Sequence, residues 1–137
     1  MVPARQAAAT HASPLCRVRR PVYPVGMTIP PPGAIAVIFL SGRTGADDEG
    51  YARAAGAMEI AAAARDGYLG LDSARGGDGV GITLSWWGDE VAALAWRDDP
   101  EHARIREKGR AVWYDWYRVI VATVDRAYDW TRHEDAS

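Results

Sequence analysis

Three observations predict an α+β fold with the element order β-α-β-β-α-β. A strand-sized apolar run, Ala34 to Leu40, is matched near the other end of the chain by Val119 to Val124. Between them, Gly76-Gly-Asp-Gly79 reads as a tight hairpin turn joining two alternating segments. Before and after that hairpin, apolar residues recur at helical spacing behind acidic starts.

Taken in order, the first strand, Ala34 to Leu40, runs into Ser41-Gly-Arg-Thr-Gly45, whose glycines and hydroxyls signal a turn. Asp47, Asp48 and Glu49 then place carboxylates where a helix N-terminus favours them. Tyr51, Ala55, Met58 and Ala62 follow at i, i+4, i+7 and i+11, one narrow apolar face lined mostly by small alanines. Asp66-Gly67 ends this helix. Tyr68 to Arg75 reads as a strand leading into the hairpin, and Val80 to Trp87 as its partner. In that partner Ile82, Leu84 and Trp86 share one face, while Thr83, Ser85 and Trp87 share the other. A short helix is expected to carry Val91, Leu94 and Ala95 to the core. Asp99-Pro100 reads as an N-cap with proline at the first helical position, restarting a helix through about Val112. The last strand covers about Trp116 to Val124, and residues 129–137 form a polar tail.

With the last two helical pieces counted as one crossover, this order is the split pattern of the ferredoxin-like fold, two helices on one face of a four-stranded antiparallel sheet. Its other face should alternate toward water, yet the first and last strands are apolar on consecutive residues. The second face must therefore be covered as well. With no third helix to do so, a second copy is the economical cover, giving a homodimeric α+β barrel of closed twofold symmetry. The alternative is a monomer with a modestly apolar open face.

Composition bounds the rest. A chain of 137 residues with 48% apolar and 25% charged residues fits one soluble globular domain. No run approaches the roughly 18 apolar residues of a membrane span. The single cysteine, Cys16, can form no internal disulfide, so a reducing cytoplasm is the expected compartment. Residues 1–33 hold Arg5, Arg17, Arg19 and Arg20 and no acid. Removing those four charges from the net −2 leaves −6 on the remainder, an acidity that argues against nucleic acid as partner. The proline-rich residues 1–33 are expected to be disordered, or to precede a true start at Met27, leaving the functional domain at residues 34–128.

Several strings resemble a known family: Tyr51 with Met58, Gly67-Tyr-Leu-Gly70, Ser73-Ala-Arg75, Gly79-Val-Gly-Ile-Thr83, Ser85-Trp-Trp87, Ala95-Trp96, Glu101-His102, Gly109 and Trp113-Tyr114. Over about Ala34 to Tyr128 they are similar to a bacterial subgroup of the antibiotic biosynthesis monooxygenase domain. That resemblance implies a dimeric α+β barrel and a pocket between helices and sheet in each subunit. In some members it implies oxygenation of polycyclic aromatic compounds without metal or flavin, while other relatives degrade haem. The haem-degrading members use a first-strand asparagine, a second-helix tryptophan and a histidine ten residues later. Trp96 matches the tryptophan, but Arg106 stands at the histidine position and the chain contains no asparagine. An arginine stays protonated and offers no lone pair to iron, which argues against haem degradation.

Candidate chemistry centres on His102, Arg106, Gly109 and Trp113, spaced i, i+4, i+7 and i+11 on one helical face, with Trp96 one turn before. Trp87 or Trp86, whichever points inward, and Tyr51 complete the expected substrate contacts. Such a pocket has apolar walls and few polar anchors, the usual form of a small-molecule site. His102, titrating near neutrality, is the candidate base, and Arg106 the candidate holder of an oxyanion. Each has a plain competitor. A histidine in the first turn of a helix often caps its own amides, and tryptophans often only fill a core. His11, His102 and His133 are too scattered for a metal site, and no cofactor site is read. The expected function is a cofactor-independent monooxygenase acting on a small aromatic or quinone-like compound. The alternatives are a non-catalytic small-molecule-binding protein and a dimerisation module of the same fold.

Overall fold

The computed structural model describes residues 29–130 and 132. The readings of residues 1–28, Cys16 among them, and of the last five residues lie outside the described part. The elements are β1 (Ile35–Arg43), α1 (Asp48–Ala63), β2 (Tyr68–Arg75), β3 (Val80–Trp87), α2 (Glu90–Arg97), α3 (Pro100–Lys108), a π-helical turn (Gly109–Trp113) and β4 (Tyr114–Thr123). The sheet runs β2-β3-β1-β4, antiparallel throughout. This is the ferredoxin-like α+β arrangement expected from the element order.

Register follows from side-chain alternation. Across β1 and β3, Ile35 pairs with Trp87, Val37 with Ser85 and Phe39 with Thr83, and this set faces the helices. Ala36 opposite Trp86, Ile38 opposite Leu84 and Leu40 opposite Ile82 point to the bare side. Trp87 therefore lies under the helices, wholly buried, whereas Trp86 lies on the far face, its indole N–H donating to Asp72 at 3.0 Å.

The core gathers Ile35, Ala62, Trp87, Ala93 and Trp96, with Val37, Met58, Ala61, Tyr68 and Ala92 packed against it. Two expected faces turn out otherwise. On α2, Ala93 and Trp96 point inward, while Val91 is 76% exposed and Leu94 and Ala95 also face out. Ala93 sits two residues from Val91, roughly 200° round the axis, so the buried face is nearly opposite the expected one. The stacking of Trp96 on Trp87 turns this face inward, since the buried indole adds ring contacts to its area removed from water. On α1, Ala55 is exposed; the buried face combines Met58, Ala61 and Ala62 with Tyr51 at the helix start.

The third helix also ends earlier than expected, at Lys108, and widens into the π turn before β4 begins at Tyr114. Gly109 lies against the Tyr114 ring so closely that a Cβ there would come within 2.8 Å of it. The freed carbonyls of the turn are taken by the end of β1. Thr44 Oγ1 donates to Val112 O at 2.7 Å, and Arg43 Nε to Trp113 O at 3.1 Å. Among the described residues no helix is long and apolar enough to cross a membrane.

Candidate functional site

His102 is placed by a joint between α2 and α3. Asp99 Oδ1 accepts the His102 backbone N–H at 3.0 Å, capping α3 with Pro100 in its first turn. Asp99 Oδ2 pairs with Arg65 Nη1 at 2.8 Å, and Arg65 Nη2 donates to Ala95 O at 3.0 Å. One arginine from the end of α1 thus holds both helices at their junction.

The imidazole lies flat on the Trp96 indole, centroids 4.5 Å apart and planes 12° from parallel. Trp96 in turn stacks on Trp87 at 5.9 Å, and Tyr68 meets Trp87 edge-on at 5.7 Å. His102 Nδ1 is 3.0 Å from the Trp96 carbonyl. A carbonyl only accepts, so Nδ1 must carry the hydrogen, and in the neutral ring Nε2 keeps the lone pair. Burial pushes the histidine below its ordinary value of 6.5, with the nearby Arg106 cation acting the same way, against the bond to Trp96 and the pull of Asp99. The ring is neutral at pH 7. Among the described residues Arg106 makes one long hydrogen bond, to Arg97 O at 3.5 Å.

A second aromatic cluster gathers around Tyr51, which meets Trp113 and Tyr114 edge-on, each at 5.9 Å. Phe39 stacks on Tyr117 at 5.3 Å and meets Tyr114 edge-on at 5.4 Å. Arg43 lies over the Tyr51 ring at 3.8 Å. Arg75 Nη2 donates to Ser41 Oγ at 2.9 Å and to the Tyr51 hydroxyl at 3.1 Å. Burial, and then the neighbouring Tyr51, push the Tyr114 phenol well above the ordinary tyrosine value. The sequence reading missed Arg43, Ser41, Arg75 and Tyr114. Period-2 alternation puts Ser41 and Arg75 on the helix side, and Gly81 opposite both of them leaves the room that the guanidinium occupies. That signal needs the strand register before it can be read.

The candidate residues therefore separate. Trp87, Trp96 and His102 form one stack, Tyr51 and Trp113 belong to the second cluster, and Trp86 occupies the other side of the sheet. Two surface depressions, one between α1 and α3 and one between the end of α1 and α2, are lined by neither His102, Arg106 nor Trp96. β4 is covered along one edge by β1 and at its start by the π turn, and its helix-side residues Val119 and Val121 stay 50% and 62% exposed. Val121 pairs with Val37, which packs against the Trp87–Trp96 core.

Fold and site together define a ferredoxin-like α+β protein whose solved structural neighbours have the antibiotic biosynthesis monooxygenase-like fold. SnoaB of Streptomyces nogalater, a cofactor-independent oxygenase, aligns at a TM-score of 0.61 and 14% identity, over 69% of this chain and 96% of that one. Rv0793 of Mycobacterium tuberculosis aligns at 0.58 and 17% identity over 76% and 99% of the two chains, and PA3566 of Pseudomonas aeruginosa at 0.56 and 15% over 74% and 98%. At these identities the likeness is one of fold. No family model matches the chain. The chain is 46% identical over 97 residues to the uncharacterized protein YqjZ of Bacillus subtilis, covering 71% of this chain and 84% of that protein, and it belongs to the YqjZ family.

Proposed function

We propose that the chain is a cofactor-independent monooxygenase for a small aromatic or quinone-like compound, with His102 as base and Arg106 as oxyanion partner. The observation that carries this reading is the imidazole stacked on Trp96 with Nδ1–H committed to a backbone carbonyl, leaving a neutral, basic Nε2. A flat substrate would lie on the uncovered strip of Val119 and Val121, with its hydroxylated edge toward α3. His102 takes the proton of a phenol or enol, and Arg106, whose single hydrogen bond is long, holds the anion. The anion gives one electron to O2, and superoxide and the substrate radical join at a ring CH carbon conjugated with the oxygen. The peroxide receives the proton back from the imidazolium. Its O–O bond then breaks, the outer oxygen leaving as water with the hydrogen of that carbon, so that C–OH, C–H and O2 become two C=O and H2O.

The fold of SnoaB supports the reaction class, and the sequence resemblance supports the site. The test is oxygen uptake against hydroxylated naphthalenes and anthrones, without added metal or flavin. Uptake abolished in His102→Ala is the expected result. Binding of the panel, seen as tryptophan quenching, without any oxygen uptake would overturn the enzyme and leave a binding protein.

A further inference from the structure

The cleft between α1 and α3 lies apart from the His102 stack and has a volume of about 340 Å3. Its walls are the methyl groups of Ala54 and Ala57 on α1, Ile105 on α3 and the indole of Trp113. The small side chains of α1 leave the space between the two helices unfilled there. Its charges are unevenly matched. Asp47 is already engaged, with Oδ1 accepting Gly50 N–H at 3.1 Å and Oδ2 accepting Trp113 Nε1–H at 3.2 Å. Glu101 is held by two bonds from Arg104. Arg53 and Lys108 also line the cleft, one from each helix; both attract the Asp47 carboxylate, but among the described residues neither makes a hydrogen bond or close ion pair.

We infer that this cleft is a binding site for a small aromatic acid, its ring system between Ala57 and Ile105 and its carboxylate between Arg53 and Lys108. The apolar walls remove a flat body from water, and two cations on opposite helices meet one anion better than any single neutral group. The volume lies at the small end of ligand pockets, suited to one or two fused rings.

The test is calorimetric titration of the full chain with 2-naphthoate and with 2-naphthamide, the same shape without the charge. One 2-naphthoate per chain is expected, with the amide about tenfold weaker or more. Arg53→Ala combined with Lys108→Ala should cost 2-naphthoate about tenfold or more and flatten its salt dependence. Ala57→Leu, at an exposed helical position that tolerates leucine, should fill the cleft and abolish binding of both probes. Failure of 2-naphthoate to bind, equal binding of acid and amide, or affinity unchanged in either variant with native circular dichroism would overturn the assignment. Should the leucine variant not fold, the doubly substituted variant decides. Oxygen uptake is not read, so failure of the proposed monooxygenase activity is a separate result.

Discussion

At the scale of single residues, His102 derives its chemistry from one hydrogen bond and one stacking contact. Because burial lowers its pKa, the ring loses its proton below pH 6.5, and the rate of a reaction needing Nε2 as base should rise through that lower pKa and stay flat above it. The stability consequence has the same sign. A histidine held neutral by the fold binds fewer protons than in the unfolded chain, so stability is complete above 6.5 and falls as pH drops toward the folded pKa. An acid limb centred above 6.5 would remove the base from its role. His102→Ala should lower kcat by roughly 10²- to 10⁴-fold with little change in affinity, and Arg106→Ala should mainly weaken binding of the anionic substrate. A haem titration should give no sharp stoichiometric Soret shift, since the arginine at position 106 offers iron no lone pair. Reductant-dependent loss of bound haem would contradict that.

At the scale of elements, the α2–α3 joint is where a small change should reach the site. Asp99 caps α3 and pairs with Arg65, which also holds the end of α2. Asp99→Ala removes the cap, a loss of about 1–2 kcal/mol, and for a domain of this size the melting temperature should fall by several degrees. Asp99 also pulls the His102 pKa upward, so its removal should move the acid limb of the rate profile to lower pH. A purely structural role would leave that limb in place. An unchanged melting temperature would show that cap and ion pair together contribute nothing.

At the scale of the whole molecule, the sheet face away from the helices is the dominant feature. Val80, Ile82, Trp116 and Ile120 are between 42% and 47% exposed there, beside Ile38 and Leu40 of the central strand. Arg118 shares this face with them, and an exposed apolar face of this kind is expected to pair with a second copy of itself. Light scattering at micromolar concentration should give twice the chain mass of 14.9 kDa. Ile120→Lys, placing a charge on the edge strand of that face beside Ile38, should dissociate the dimer or unfold it. A monomeric wild-type chain would exclude the barrel.

Element order, the hairpin, both helix starts and the alternation that sends Trp86 and Trp87 to opposite faces were legible in the sequence alone. Each rests on local chemistry: turn glycines, a capping aspartate, a period of two. The buried face of α2 was not legible, because an eight-residue helix offers apolar residues in two directions and only packing of Trp96 on Trp87 selects one. Nor was the grouping of Ser41, Tyr51, Arg75 and Tyr114, drawn from three strands and a helix far apart in the chain. Spacing put His102 and Trp113 on one face of one helix, but α3 reaches only Lys108. The π turn after Lys108 then carries Trp113 to Asp47 while His102 turns to Trp96, and this divergence belongs to the tertiary structure, since it depends on which distant groups satisfy each ring.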